Sequence, residues 1–300
     1  MPPLLVAKKL TKRYGSIIAL DSVDLQVCEG ITGLLGANGA GKSTAIKLFL
    51  GLLKPTSGTA EVMGVETYAS VEVRARLGYM PEHDCLPSSL SATEFLTHMA
   101  EVSGLPPSHA RSRTADVLRH VGLAEERYRA LGGYSTGMKQ RVKLAQALVH
   151  DPAIVLLDEP TAGLDPAGRE EMLDLIRHTG KECGISLLLS SHLMGDIERT
   201  CDRIIVLEGG RITEEGTVSG LTSETQTIIL EVETKRDEVV HILKMQGIQA
   251  TVEESLIVVE LRHEEQYDTL RDAVAEAEAR LRRLTSRRHT LAEIFRGTAS

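Results

Sequence analysis

Three groups of residues in this chain have the chemistry to handle a polyphosphate. The first is Gly36-Ala37-Asn38-Gly39-Ala40-Gly41-Lys42-Ser43-Thr44, which fits the pattern G-x-x-x-x-G-K-[ST]. Its glycines let successive backbone N–H groups turn inward onto phosphate oxygens. Lys42 can reach the β- and γ-phosphates, and the Ser43 hydroxyl can hold Mg²⁺. The second group is Asp158-Glu159, which closes the apolar run Ile154-Val155-Leu156-Leu157. There Asp158 can hold Mg²⁺ through its water shell, and Glu159 can orient or deprotonate an attacking water. Adjacent acids also suit a solvated loop, but a phosphate loop needs a distal acid, and that favours the chemical reading. The third is His192, which follows Ile185–Leu189 and Ser190-Ser191. A lone histidine is more often structural, and the chain has ten. A strand-end position within reach of a γ-phosphate is what singles this one out.

These side chains need a parallel sheet to bring them together. Ile31–Leu35 reads as a short strand, and Ala45–Leu53 as the helix that follows the glycine loop. The helix N-terminus adds its partial positive charge to the loop. Ile154–Leu157, apolar at every position, suits a central parallel strand buried on both faces. In such sheets ligands sit outside the C-terminal ends of the strands. Leu77–Met80 is a further strand, running into a loop with Glu82.

Ahead of this core, alternation between Leu4 and Val27 predicts antiparallel strands turning near Tyr14-Gly15-Ser16. Tyr14 can stack on a base or simply pack. A break at Lys54–Gly58 precedes a strand over Thr59–Met63, and Ile204–Gly210 reads as a terminal hairpin. Between Ser88 and His150 the texture is helical, with segments at Glu94–Ser103, Ser108–Val121 and Met138–Val149. Gly132–Gly137 opens the last of these, as a second anion site at a helix N-terminus or as an ordinary cap. After Gly220 a polar linker, Thr222–Gln226, leads to strand Ile228–Val232, helix Asp237–Met245, strands Gln249–Glu253 and Leu256–Leu261, and helix Glu264–Ala277. That β-α-β-β-α order predicts a small α+β domain over 223–300, separate from 1–222. Beyond Ala277 lie Arg280, Arg282, Arg283, Arg287, Arg288 and Arg296 against Glu278 and Glu293. They read as a solvated face, or as a contact for acidic headgroups or a partner.

Composition sets outer bounds. The chain has 300 residues, 42% of them hydrophobic but only 3% aromatic and none Trp, so its core must be aliphatic. A net charge of −8 argues against non-specific nucleic-acid binding. The four cysteines form no CxxC pair and read as reduced cytosolic thiols. No signal peptide is apparent and no window approaches the ~20 apolar residues of a membrane span. A membrane role must therefore come through a partner.

In order and spacing, the motifs resemble those of the ATP-binding cassette (ABC) ATPase family over about residues 3–220. They are the glycine loop, the Glu82 loop, Tyr134-Ser135-Thr136-Gly137-Met138, Leu156–Pro160, Ala162-Gly163-Leu164-Asp165 and Ser190-Ser191-His192. The remainder is similar to the C-terminal domain on ATPase subunits of bacterial exporters. The resemblance implies an α/β P-loop NTPase core with an antiparallel β subdomain and a helical subdomain near 88–150. It implies ATP and Mg²⁺ as ligands, separate transmembrane permease subunits, and a second copy of the chain in an ATP sandwich at the cytoplasmic face of the membrane. By position, Tyr14 would stack on adenine and Gly36, Asn38, Gly39, Ala40, Gly41, Lys42, Ser43 and Thr44 would hold phosphates. Ser43, Glu82 and Asp158 would serve Mg²⁺, Glu82 coupling to the permease. Ser135 and Gly137 would bind the opposing subunit's ATP and Asp165 would cross the dimer. Glu159 would be the base and His192 the γ-phosphate switch.

Two departures stand out. The family's usual Leu-Ser-Gly-Gly-Gln is here Tyr134 to Met138, with Ser135 and Gly137 kept, and its usual loop Gln is Glu82. Both variations look like those of exporter-type ATPases carrying a C-terminal domain. The alternatives are a soluble ABC ATPase acting on nucleic acid or ribosomes, or a regulatory ATP-binding module without turnover.

Overall fold

Alternating apolar residues make β1 (Leu5–Tyr14) and β2 (Ile17–Val27) an antiparallel pair turned at Gly15. The structure is a computed structural model, and it describes residues 2–222, 224–253, 256–260, 266–288 and 291. By chain contacts it divides into two units, Met1–Val218 and Ser219–Ser300, a few residues before the sequence-based boundary.

In the first unit, β3 (Ile31–Leu35) is buried throughout and runs through the glycine loop into α1 (Lys42–Phe49). The helix starts at the lysine itself, ahead of the predicted Ala45, because the loop's last glycine is its N-cap. There follow β4 (Ser57–Val62), β5 (Val65–Glu66), α2 (Val71–Arg74) and β6 (Leu77–Met80). Next come α3 (Ala92–Val102), α4 (Pro107–His120) and α5 (Thr136–Leu148), within two residues of the predicted helices at most ends. Ser91 and Glu94 form a capping box on α3, and Pro107 opens α4, where its missing N–H costs nothing.

The chain then alternates β7 (Ile154–Asp158), α6 (Pro166–Glu182), β8 (Ser186–Ser191), α7 (Met194–Thr200), β9 (Arg203–Glu208) and β10 (Arg211–Thr217), with α8 (Val218–Leu221) after them. The sheet order is β10-β9-β3-β8-β7-β6, parallel from β9 to β6. Two strands separate β3 from β6, so the loops after β3, β6, β7 and β8 open at one edge. A second sheet, β2-β1-β4-β5, is antiparallel. One apolar cluster, including Leu5, Leu20, Ile46, Phe49, Leu156 and Leu188, joins both sheets through α1.

The second unit holds β11 (Glu224–Val232), α9 (Arg236–Met245), β12 (Ala250–Glu253), β13 (Leu256–Glu260), α10 (Gln266–Glu276) and β14 (Leu281–Arg288). The antiparallel sheet order is β12-β13-β11-β14. One expectation is corrected here. The linker is shorter than Thr222–Gln226, because β11 already begins at Glu224. Within the arginine run Arg280, Arg282 and Arg283 are exposed, as a solvated face requires, and the run is also a strand: β14 pairs with β11, and Leu284 packs on the unit's own core. The predicted helix starts at Glu264 and the predicted strand ends at Leu261, and both of those residues, with Glu293 and Arg296, lie outside the described residues.

Candidate active site

The glycine loop, the ends of β6, β7 and β8 and the β2 residue Ala19 enclose a cavity of about 380 Å³. Its walls include Asn38, Gly39, Gly41, Lys42, Ser43, Thr44, Glu82, Glu159 and His192. Gly36 and Ala40 shape the loop from behind: the Gly36 carbonyl accepts from Lys42 Nζ at 2.7 Å, and the Ala40 carbonyl accepts from the Gly210 amide at 3.2 Å. The N-terminus of α1 has no side-chain cap and no acid in its first turn, so its amides face the cavity free to bind an anion.

Gly41 makes this possible. Its φ is +109°, and a Cβ there would sit 2.5 Å from the Ala19 carbonyl and 2.9 Å from Leu20 Cδ2. Gly41→Ala is expected to cost about 1–3 kcal/mol of stability from strain alone. It should also weaken nucleotide binding by displacing the loop. Thermal melts and titration with a fluorescent ATP analogue check this, and wild-type values in both would refute the cradle geometry.

The charged groups form one chain, buried at Lys42, Asp158 and Glu159 and exposed at His192. Lys42 Nζ also donates to the Ala37 carbonyl at 3.2 Å and lies 3.2 Å from Glu159 Oε1. That last contact is an ion pair without hydrogen-bond geometry, so Oε1 has no hydrogen-bond partner of its own. Glu159 Oε2 meets His192 Nδ1 at 2.9 Å. Asp158 Oδ1 accepts from Ser43 Oγ at 3.0 Å and from Ser190 Oγ at 2.8 Å, while Ser190 Oγ accepts from the Glu159 amide at 3.0 Å. Glu159 adopts φ +46°, a left-handed conformation rare outside glycine. The turn that aims its carboxylate into the cavity is thus backbone-strained and anchored by Ser190.

Ser43 and Asp158 offer hard oxygen donors side by side, the type Mg²⁺ takes. Among the described residues no three His, Cys, Asp or Glu side chains group closely enough to hold a metal. A cation at Ser43 and Asp158 would take its other ligands from phosphate and water, as Mg²⁺ commonly does. Tyr79 on β6 senses the negative field there: burial first, then Asp158, push its hydroxyl up to about 12.

Ser135, Gly137 and Asp165 are gathered elsewhere. They line a separate cavity of about 660 Å³ with Thr136, Met138 and Leu164. Ser135 caps α5 by accepting from the Met138 amide at 3.3 Å, and Asp165 caps α6 by accepting from the Gly168 amide at 2.9 Å. Tyr14 is on neither wall. It sits half-exposed at the end of β1, with Lys12 Nζ 5.1 Å from its ring centroid.

Residues 20–162 match the family model described as ABC transporter. The bacitracin transport ATP-binding protein of Bacillus licheniformis is 40% identical over 217 residues, covering 72% of this chain and 70% of that protein. The chain belongs to the ABC transporter family. As its ATP-binding subunit it binds and hydrolyses ATP, and its α/β P-loop fold matches solved ABC ATPases. A daunorubicin resistance ATP-binding protein of Streptomyces coeruleorubidus is 34% identical over 295 residues, covering 95% of this chain and 92% of that one. A dimeric ATP-binding cassette solved in a post-hydrolysis state with ADP and Pi superposes with a TM-score of 0.65 at 26% identity, covering 72% of this chain and 99% of that one.

Sequence reasoning quoted Ser190 without giving it work. Its signal is register: Ser190 pairs with Asp158 across the parallel β7–β8 ladder, so its hydroxyl meets the acid pair. It also passed over a second buried cluster. Asp196 on α7 is held by Arg169 Nε at 2.6 Å and by Thr161 Oγ1 at 2.8 Å. Those contacts tie the segment after His192 to α6 and to the loop after Glu159.

Proposed function

We propose that this chain is the ATPase subunit of a membrane exporter, working as a two-fold dimer that closes on two ATP molecules beneath separate permease subunits. The observation that carries the dimer is the separation of two half-sites. Lys42, Glu159 and His192 line one cavity, while Ser135, Gly137 and Asp165 line another. A two-fold axis lets one copy's second cavity meet the other copy's first. ATP then acts as interface glue, and hydrolysis releases it. The solved dimeric cassette supports this arrangement.

In this reading Gly36 to Thr44 hold the phosphates, with Lys42 on the β- and γ-groups. Ser43, Asp158 and Glu82 serve Mg²⁺, which when bound supplies charge neutralisation at the transferring phosphoryl group. Glu159 takes the proton of the attacking water, and His192 contacts the γ-phosphate. Glu82 reports occupancy to the permease. Asp165 crosses the interface. Tyr14 stacks on adenine from the same hairpin that brings Ala19 to the cavity wall.

The exporter assignment rests on relatives named for bacitracin transport and daunorubicin resistance. The alignment with the second spans 95% of this chain, which supports a C-terminal accessory unit as part of the subunit rather than a foreign addition. No helix among the described residues is long and apolar enough to cross a membrane, and peripheral attachment at the cytoplasmic face follows from the permease contact. Affinity purification from native membranes tests the reading. A multi-span membrane protein should co-purify and stimulate ATPase activity, and inside-out vesicles should accumulate substrate when ATP is added. Recovery with ribosomes or nucleic acid instead would overturn it in favour of the soluble alternative.

A further inference from the structure

We propose that Lys143 is a positioning residue for ATP hydrolysis: from the middle of α5 it holds the Glu82 loop against the phosphate cavity and sets a buried positive charge behind its carboxylates. The proposal rests on the reading that Glu82 faces Mg²⁺ and the γ-phosphate.

Lys143 lies between Val142 and Leu144, and all three are buried, with Lys143 only 2% exposed. A solvent-facing helical lysine has no such neighbours, and a buried ammonium must find compensation or be lost. Its Nζ donates to the Glu82 carbonyl at 2.8 Å. Burial pulls its pKa down, and the charges of Cys85, Asp84, Glu82 and Asp158 all act in the opposite direction. One turn earlier on the same face, Lys139 bonds Asp84 Oδ2 at 2.9 Å. Gln140, between them in sequence, donates to the Ala162 carbonyl at 2.9 Å, in the loop after Glu159. Three residues of one helix therefore grip both acid-bearing loops of the cavity.

The charge has a purpose that the cavity wall defines. Glu82 and Glu159 both line it, and Lys42 is the one Lys or Arg among the lining residues. An incoming triphosphate adds further negative charge, while Lys42 leaves Glu159 to reach it. Lys143 is buried, bonds the backbone of the Glu82 loop and is not among the residues that line the cavity. Its helix also begins at Ser135 and Gly137, which the dimer reading points at the partner's ATP. A rigid helix thus links the loop that senses one nucleotide to the residues that touch the other.

The test is a double-mutant cycle in the full-length chain: Lys143→Met, Glu82→Gln and both together. Binding of a fluorescent ATP analogue is measured with Mg²⁺ and with EDTA, beside kcat and KM. Lys143→Met should weaken binding by about tenfold, because it leaves the Glu82 carboxylate without its buried counter-charge. The loss should deepen in EDTA, where no cation screens Glu82. The double variant should bind within about threefold of Glu82→Gln alone, because a neutral residue at 82 no longer needs the ammonium. Lys143→Gln keeps a donor without the charge and serves if the Met variant does not fold; it should show the same Mg²⁺-dependent loss. Additive effects in the cycle, or equal losses with and without Mg²⁺, would mean that Lys143 only fills space and would overturn the proposal. Lys42→Ala is the control for the site itself: normal binding there would refute the nucleotide assignment of the cavity, separately from Lys143.

Discussion

Glu159→Gln is expected to lower ATP turnover by about 10²–10⁴-fold, the usual worth of a general base. Gln keeps the volume and removes the proton acceptor. The loss should be in kcat, because the phosphate contacts lie in the glycine loop and α1 rather than in Glu159. The carboxylate meets Lys42 at 3.2 Å on one oxygen and His192 at 2.9 Å on the other. In the proposed function Lys42 turns to the phosphates, which would free Oε1 for water. This explains how a carboxylate buried to 7% exposure waits without a hydrogen bond on that oxygen. With hydrolysis blocked, ATP should trap the dimer, visible by size exclusion as a species absent without nucleotide. Phosphate release at the wild-type rate would show that the base lies elsewhere, Glu82 being the next carboxylate on the cavity wall.

Most of this site was legible because its chemistry is written in local patterns. The glycine spacing of Gly36 to Gly41 demands a backbone cradle, and the unbroken apolar run at Ile154, with the mostly apolar runs at Ile31 and Ile185, demands a buried parallel sheet. A sheet of that kind presents strand-end residues at one edge, so Asp158, Glu159 and His192 had to converge there. What could not be read was cross-element pairing. Ser190 gains its role from a register partner in another strand. Lys143 looks like a surface lysine until tertiary packing closes over α5. The arginines of β14 hide its apolar positions, leaving Leu284 to be recognised only by what it packs on. Helix α6 is hard to read in the sequence because its buried stripe is just Met172, Leu173, Ile176 and Thr179 in an otherwise charged stretch. Tyr14 lies half-exposed at the end of β1, away from the phosphate wall, where an aromatic face is open to a base.

Mixing two inactive chains should restore activity if each site is shared. Lys42→Ala removes the phosphate lysine of its own cavity, which should abolish turnover in a homodimer. Ser135→Arg fills the mouth of the other cavity, where Ser135, Gly137 and Asp165 are gathered, and should abolish it too. The arginine also removes the α5 cap, at a cost of about 0.5–2 kcal/mol, so a melting curve must first show that this chain is folded. In a heterodimer the Lys42 of the Ser135→Arg chain faces the Ser135 of the Lys42→Ala chain, giving one intact composite site. The other site carries both lesions. Random pairing at equal concentrations and independent sites then predict about a quarter of wild-type activity in the mixture. Differently tagged chains allow the heterodimer to be isolated, and it should carry the recovered activity while each parent stays inactive. The two cavities lie in one chain as separate volumes of about 380 and 660 Å³, so a catalytic unit confined to one copy predicts no recovery at all. An inactive mixture with heterodimers verified by double-tag capture would therefore refute the shared site.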